Sequence, residues 1–268
     1  MAAFRDWCAR VAAGLALALP VLFLAAAFGV KFGLFDWDFG FGVLAMRALP
    51  ALAALALGTA LVALALSRIA LPRRGFWIAL AACAPPVLAL AGVAGVYAKA
   101  ERSAPIHDVS TDVDDPPAFS PAVAAARARL LRANGLDLAH ARVPARAAAG
   151  DAAGRRVTAV QQAAYPDIAP IALGAPAAQA FAASQAAARR LHWAIDRVEP
   201  RALSFEARAE DFWFGNTADI AVRVTPADPG AVVDVRSASR FGVGDLGANA
   251  DRVRAFAREL TRELDATP

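Results

Sequence analysis

The stretch VAAGLALALPVLFLAAAFGV, residues 11–30, runs for 20 positions without a charged side chain. An α-helix rises about 1.5 Å per residue, so about 20 apolar residues suffice to cross the hydrocarbon core of a bilayer. Two further uncharged stretches, residues 48–66 and 76–98, are 19 and 23 residues long. The sequence therefore predicts a membrane region over residues 1–98, whose three spanning helices contact membrane lipids.

The composition of the 268 residues fits this division. Hydrophobic residues make up 58% of the chain, whereas soluble domains contain about 45–50%. Charged residues make up 19%, and with so many apolar side chains this excludes a disordered protein. Two cysteines and three histidines provide few soft ligands, so the sequence predicts no zinc site and no other metal or cofactor.

The positions of the basic residues predict the orientation of the spans. Arg5 and Arg10 precede the first span, and three arginines, Arg68, Arg73 and Arg74, lie in the loop of residues 67–75. The positive-inside rule places such segments in the cytoplasm and everything after the third span on the opposite side. Two arginines before an apolar run also fit a cleavable signal peptide, but this run exceeds the usual length, which favours an uncleaved anchor.

The charges of residues 99–268, the part that follows the third span, argue against a nucleic-acid partner. The first 98 residues hold seven basic and three acidic residues, and residues 99–268 hold 21 of each. A nucleic-acid-binding domain needs a basic face, whereas this part of the chain is neutral.

Residues 99–120 are polar and contain prolines, which predicts an extended connector before a domain of residues 121–268. Alternating apolar residues predict four strands, and capping residues and apolar stripes predict three helices. The fold class is therefore α+β, with an antiparallel sheet of about four strands packed by helices. The predicted strands are residues 193–199, 202–210, 220–225 and 231–236; the helices are 120–134, with Arg127 in solvent, 176–191 and 249–264.

The densest polar cluster follows the last predicted strand. Two arginines, two hydroxyl groups and a helix N-terminus capped by Asn249 are the groups that an anion site requires. The alternative is that the arginines pair internally with Asp245 and fix the junction between strand and helix. The candidate anion ligands are Arg236, Ser237, Ser239, Arg240, Asn249 and Arg252.

Secondary candidates are His107, Asp108, Asp112 and Asp245. His107 and Asp108 resemble part of a nucleophile relay, although neighbours on a strand point to opposite faces. Asp112 begins an acidic run that lacks the glycine and glutamate of a calcium loop. The glycines at 242, 244 and 247 have dinucleotide-motif spacing, but we expect no parallel strand after the helix, so no nucleotide is predicted.

Several segments carry a family resemblance. They are IHDVSTD at residues 106–112, PPAF at 116–119, Tyr165-Pro166, and RSASR at 236–240 with Asp245, Gly247, Asn249 and Arg252. Over residues 104–264 the chain resembles the family of domains of unknown function called DUF1499. The resemblance implies a bacterial envelope domain without an assigned activity, and favours a meeting of the two motif clusters in space. The family often has paired acidic residues where this chain has Ala218-Asp219.

Together these features predict a bacterial inner-membrane protein with a cytoplasmic N-terminus and a periplasmic C-terminal domain. The leading hypothesis is a non-catalytic role, in which the domain binds an anionic small molecule or an envelope component, or acts as an envelope scaffold. The alternative is a periplasmic hydrolase that uses His107 and Asp108 with the cluster at residues 236–240. Whether the protein is an enzyme stays open at this stage.

Overall fold

The computed structural model describes residues 2–69, 75–130, 133–145 and 152–266. Two compact units divide the chain: residues 1–99 with 212–215, and residues 100–211 with 216–268. Arg73 and Arg74, which support the predicted orientation, lie outside the described residues.

The described part of the first unit is mainly helical. Three of its stretches, Ala3–Lys31, Asp38–Ile69 and Phe76–Arg102, are long and apolar enough to cross a membrane. These stretches contain the three predicted spans, so the candidate membrane helices are confirmed by length and composition. The elements are α1 (Ala2–Lys31), a π-helix (Asp38–Ala48), α2 (Leu49–Ile69), α3 (Phe76–Ala81) and α4 (Ala84–Arg102).

Small side chains form the contact between α1 and α2. Ala12, Ala16, Ala60 and Ala63 are each at most 3% exposed. In a bilayer, small residues let helix backbones approach closely, and van der Waals contact then holds the helices together. The third stretch breaks between α3 and α4, just before Pro85-Pro86, where the missing N–H donors interrupt the helical hydrogen bonds.

The second unit is a mixed helix and sheet domain. Its sheet has six antiparallel strands, in the order β1-β6-β5-β4-β3, with β2 also paired to β6. The strands are β1 (Asp108–Ser110), β2 (Ile171–Leu173), β3 (Ala194–Glu199), β4 (Ser204–Glu210), β5 (Thr217–Pro226) and β6 (Ala231–Ser239). The helices are α5 (Pro121–Ala128), α6 (Val157–Ala164), α7 (Ala177–Arg190) and α8 (Ala248–Asp265).

The four predicted strands are confirmed as β3 to β6, but the predicted number of strands was too low. Both additional strands have three residues, which is too short for an alternating pattern to be recognised. β1 pairs with residues 236–238 and β2 with residues 231–233 of the same long strand. The segment predicted as an extended connector therefore contains a strand of the sheet.

One face of the sheet carries the apolar core. Ile220, Val222 and Val233 are at most 1% exposed and pack in one cluster with Phe256 and Leu260 of α8. The predicted last helix is thus confirmed, with its apolar stripe on the sheet.

The opposite face is polar. Because successive strand residues point to opposite faces, Asp219, Ala221 and Arg223 of β5 are on the face away from the apolar core. Helix α5 contributes Arg127 to this face. The helix ends at Ala128, well before the predicted end at residue 134. Residues 131 and 132 of that prediction lie outside the described residues.

Candidate functional site

The pairing of β1 with β6 brings the two motif clusters together. Asp108 lies opposite Ala238, and Ser110 lies opposite Arg236. The backbone N–H of Ser239 donates to the carbonyl of His107 at 2.8 Å. The expectation that residues 106–112 and 236–240 meet in space is therefore confirmed.

Arg236 is held by a buried ion pair on the polar face. Its Nε and Nη2 donate to the two carboxylate oxygens of Asp108 at 3.0 and 2.7 Å. Both side chains are at most 5% exposed. Nη2 also donates to the carbonyl of Leu136 at 2.6 Å, and the guanidinium lies 4.9 Å from the centre of the Phe119 ring. This guanidinium is already occupied by partners within the chain.

Arg240 belongs to a second buried network around Asp219. Arg240 donates to both oxygens of Asp219 at 3.0 and 2.7 Å, and Arg127 donates to one of them at 2.7 Å. Arg127 also donates to the backbone carbonyls of Ala238, Ser239 and Asn134. One carboxylate that is 1% exposed therefore balances two arginines.

The expectation that Arg127 is solvated was wrong, because its side chain is 4% exposed. Its spacing from Val123 is a signal that sequence analysis missed: residues four apart on a helix share a face. An arginine on the inward face of a short helix needs a buried acidic partner, and here that partner comes from a strand 92 positions further along the chain.

The remaining anion candidates lie around Asn249, on the helix-covered side of the sheet. Asn249 accepts from Ser237 Oγ at 2.7 Å and donates to Ser239 Oγ and the His107 carbonyl at 3.0 and 2.8 Å. Arg252 donates through Nη1 to Ser237 and Asn249, both uncharged partners. The sheet thus separates Arg236 and Arg240 from the other four candidates, and the six do not line one common site.

Asn249 does not cap α8, contrary to the sequence prediction. The helix begins at Ala248, and the side chain of Asp245 accepts the backbone N–H groups of Gly247 and Asn249 at 2.8 and 2.6 Å. Burial raises the pKa of Asp245, although these two donors and Arg252 oppose the shift. The chain's own carboxylate therefore occupies the position at which an external anion was expected.

The secondary candidates also have partners within the fold. Burial lowers the pKa of the half-buried His107, although the neighbouring Asp108 carboxylate and the backbone of Val243 oppose the shift. Asp108 binds Arg236, as described above, and Asp112 accepts the backbone N–H groups of Asp114 and Asp115 in a turn. Within the described residues, no group of three or more His, Cys, Asp or Glu side chains is arranged to hold a metal ion.

A family model described as a protein of unknown function, DUF1499, matches residues 108–260, more than half of the chain. The chain belongs to the DUF1499 family. The match begins at β1 and ends within α8, so the whole sheet and both buried ion-pair networks lie in the DUF1499 domain. A comparison with curated proteins finds no match.

The geometry of the DUF1499 domain predicts how Arg240 responds to anions. Because Arg240 is bonded to Asp219, Arg240→Ala is expected to cost about 3 kcal/mol of stability, equally with and without phosphate. Thermal unfolding of the wild type and the variant at low salt, followed by tryptophan fluorescence, measures both conditions. If phosphate raised the Tm of the wild type and Arg240→Ala removed that rise, the anion hypothesis would hold instead.

Proposed function

We propose that this chain is a membrane-anchored protein of the bacterial inner membrane whose C-terminal domain lies in the periplasm and acts by binding or scaffolding rather than by catalysis. The observation that carries the proposal is the internal pairing of the family motif. The charged groups that a reaction would require are bonded to each other, on a domain tethered to three apolar helices.

The hydrolase alternative requires a relay in which histidine contacts both a nucleophile and an acid. Asp108 instead accepts hydrogen bonds from Arg236 with both carboxylate oxygens. Ser110 is the nearest hydroxyl on β1, but it is 0% exposed, and its Oγ has no hydrogen-bond partner among the described residues. A substrate cannot reach this hydroxyl while it stays buried.

The same ion pairs favour a rigid binding surface. Arg236 and Asp108 join β6 to β1, and Arg127 joins α5 to β5 and β6. Buried ion pairs of this kind fix the geometry of the groups around them, even where they add little net stability. A surface that is already ordered loses less conformational entropy when a ligand binds, so the polar face of the sheet is suited to recognition.

A fluorophosphonate probe that labels activated serines separates the two functions. We expect no labelling of the full-length protein in detergent, since Ser110 is buried and lacks a base at its hydroxyl. Ser110→Ala and His107→Gln serve as matched variants. Labelling of the wild type that both variants abolish would establish a serine hydrolase and overturn the binding role.

A further inference from the structure

A cavity of about 360 Å³ lies over strands β3, β4 and β5, beneath the segment of residues 117–120. Its floor includes Ser204 and Glu206 of β4 and Arg223 of β5, whose side chains share the polar face of the sheet. Phe119 contributes an aromatic wall. The volume falls in the range of small-molecule sites, about 300–1,000 Å³.

Glu206 differs from the other buried acids on this face. Asp108, Asp219 and Asp234 each accept a hydrogen bond from an arginine. Glu206 is 9% exposed and accepts from the N–H and Oγ of Ser120 at 2.5 and 2.7 Å, both uncharged donors. A buried carboxylate without an ion-pair partner is costly. Arg197 lies opposite Glu206 on β3 and lines the same cavity, but it pairs with Glu199, and the cavity provides space for another cation beside Glu206.

A second incomplete group lines the same cavity. The terminal nitrogens of Arg223 donate to Asp115 and Asp234, but its Nε is buried without an acceptor among the described residues. Arg223 lies opposite Ser204, and Glu206 lies opposite Ala221, so Glu206 and Arg223 are diagonal neighbours. Diagonal positions on paired strands are about 7–8 Å apart, a span of a few heavy atoms.

We propose that this cavity binds a small primary ammonium compound that also carries an oxygen acceptor, such as an amino alcohol. The ammonium group pairs with Glu206, the oxygen accepts from the Arg223 guanidinium, whose side chain is 28% exposed, and the carbon atoms lie against Phe119 and Ala221. The inference names a ligand class for the binding role proposed above and rests on that role. A divalent metal ion fits less well, because Ca²⁺ requires six to eight oxygen ligands.

The test is calorimetric titration of the full-length protein in detergent with 2-aminoethanol. We expect saturable binding, weakened about tenfold or more by Glu206→Gln, because the ammonium group loses its charged partner. Glu259→Gln is the matched control: Glu259 lies on α8 outside the cavity and is paired with Arg262, so binding should persist. Ethylene glycol, which lacks the ammonium group, should not bind.

A second variant keeps the test decisive if Glu206→Gln does not fold. Ala221→Val narrows the floor of the cavity without changing a charge, and it should also weaken binding of 2-aminoethanol. Absence of binding by the wild type, or equal binding by the wild type and the folded Glu206→Gln or Ala221→Val variant, would overturn the ligand class. Neither outcome affects the fluorophosphonate result, so the broader binding role stands or falls separately.

Discussion

Asp219→Asn is expected to lower the free energy of unfolding of the C-terminal unit by about 3–5 kcal/mol, because it leaves two arginines without their carboxylate. Asp219 is 1% exposed, and its partners Arg127 and Arg240 are 4% and 16% exposed. The Arg127 guanidinium cannot turn into solvent without breaking its bonds to backbone carbonyls of β6 and residue 134. The asparagine keeps the shape of the side chain, but it removes the charge and replaces one acceptor oxygen with an NH2 donor that faces an arginine.

Urea unfolding of the detergent-solubilised protein, followed by far-ultraviolet circular dichroism, measures this loss. The matched control is Asp196→Asn, since Asp196 also accepts two bonds from one arginine, Arg208, at 2.6 and 2.8 Å. That pair is 40–47% exposed, so its removal should cost less than about 1 kcal/mol. Equal losses in the two variants would mean that burial does not determine the cost.

A reporter that is active only in the periplasm should be active when fused after residue 268 and silent when inserted in the loop of residues 67–75. The expected contrast is all-or-none, because a membrane-spanning chain places each loop wholly on one side. The physical reason is the retention of Arg68, Arg73 and Arg74 in the cytoplasm, on the same side as Arg5 and Arg10.

A fluorescent protein that matures only in the cytoplasm provides the complementary control and should give the opposite pattern at the two positions. Activity of the periplasmic reporter in the 67–75 loop, with silence after residue 268, would place the DUF1499 domain in the cytoplasm. The localisation proposed for the binding role would then be wrong, whereas the fold and the cavity would be unaffected.

The sequence by itself determined the features that depend on neighbouring residues. An uncharged run of 20 residues has few alternatives to a buried helix, so the three apolar stretches were recognisable from length alone. Strands β4 and β5 carry alternating apolar and polar side chains along much of their length, and α8 carries a regular apolar stripe. In each of these elements the apolar side chains recur with the repeat of the backbone, which is two residues in a strand and about 3.6 residues in a helix.

The tertiary structure alone decided which side chains meet. Strands β1 and β2 exist because β6 offers them backbone partners, a property of pairing and not of their three residues. Arg127 and Asp219 are 92 positions apart, and Ser120 and Glu206 are 86 apart, so no local pattern connects them. The division of the arginine and serine motif between two faces of the sheet follows from the register of β6, which long-range pairing fixes.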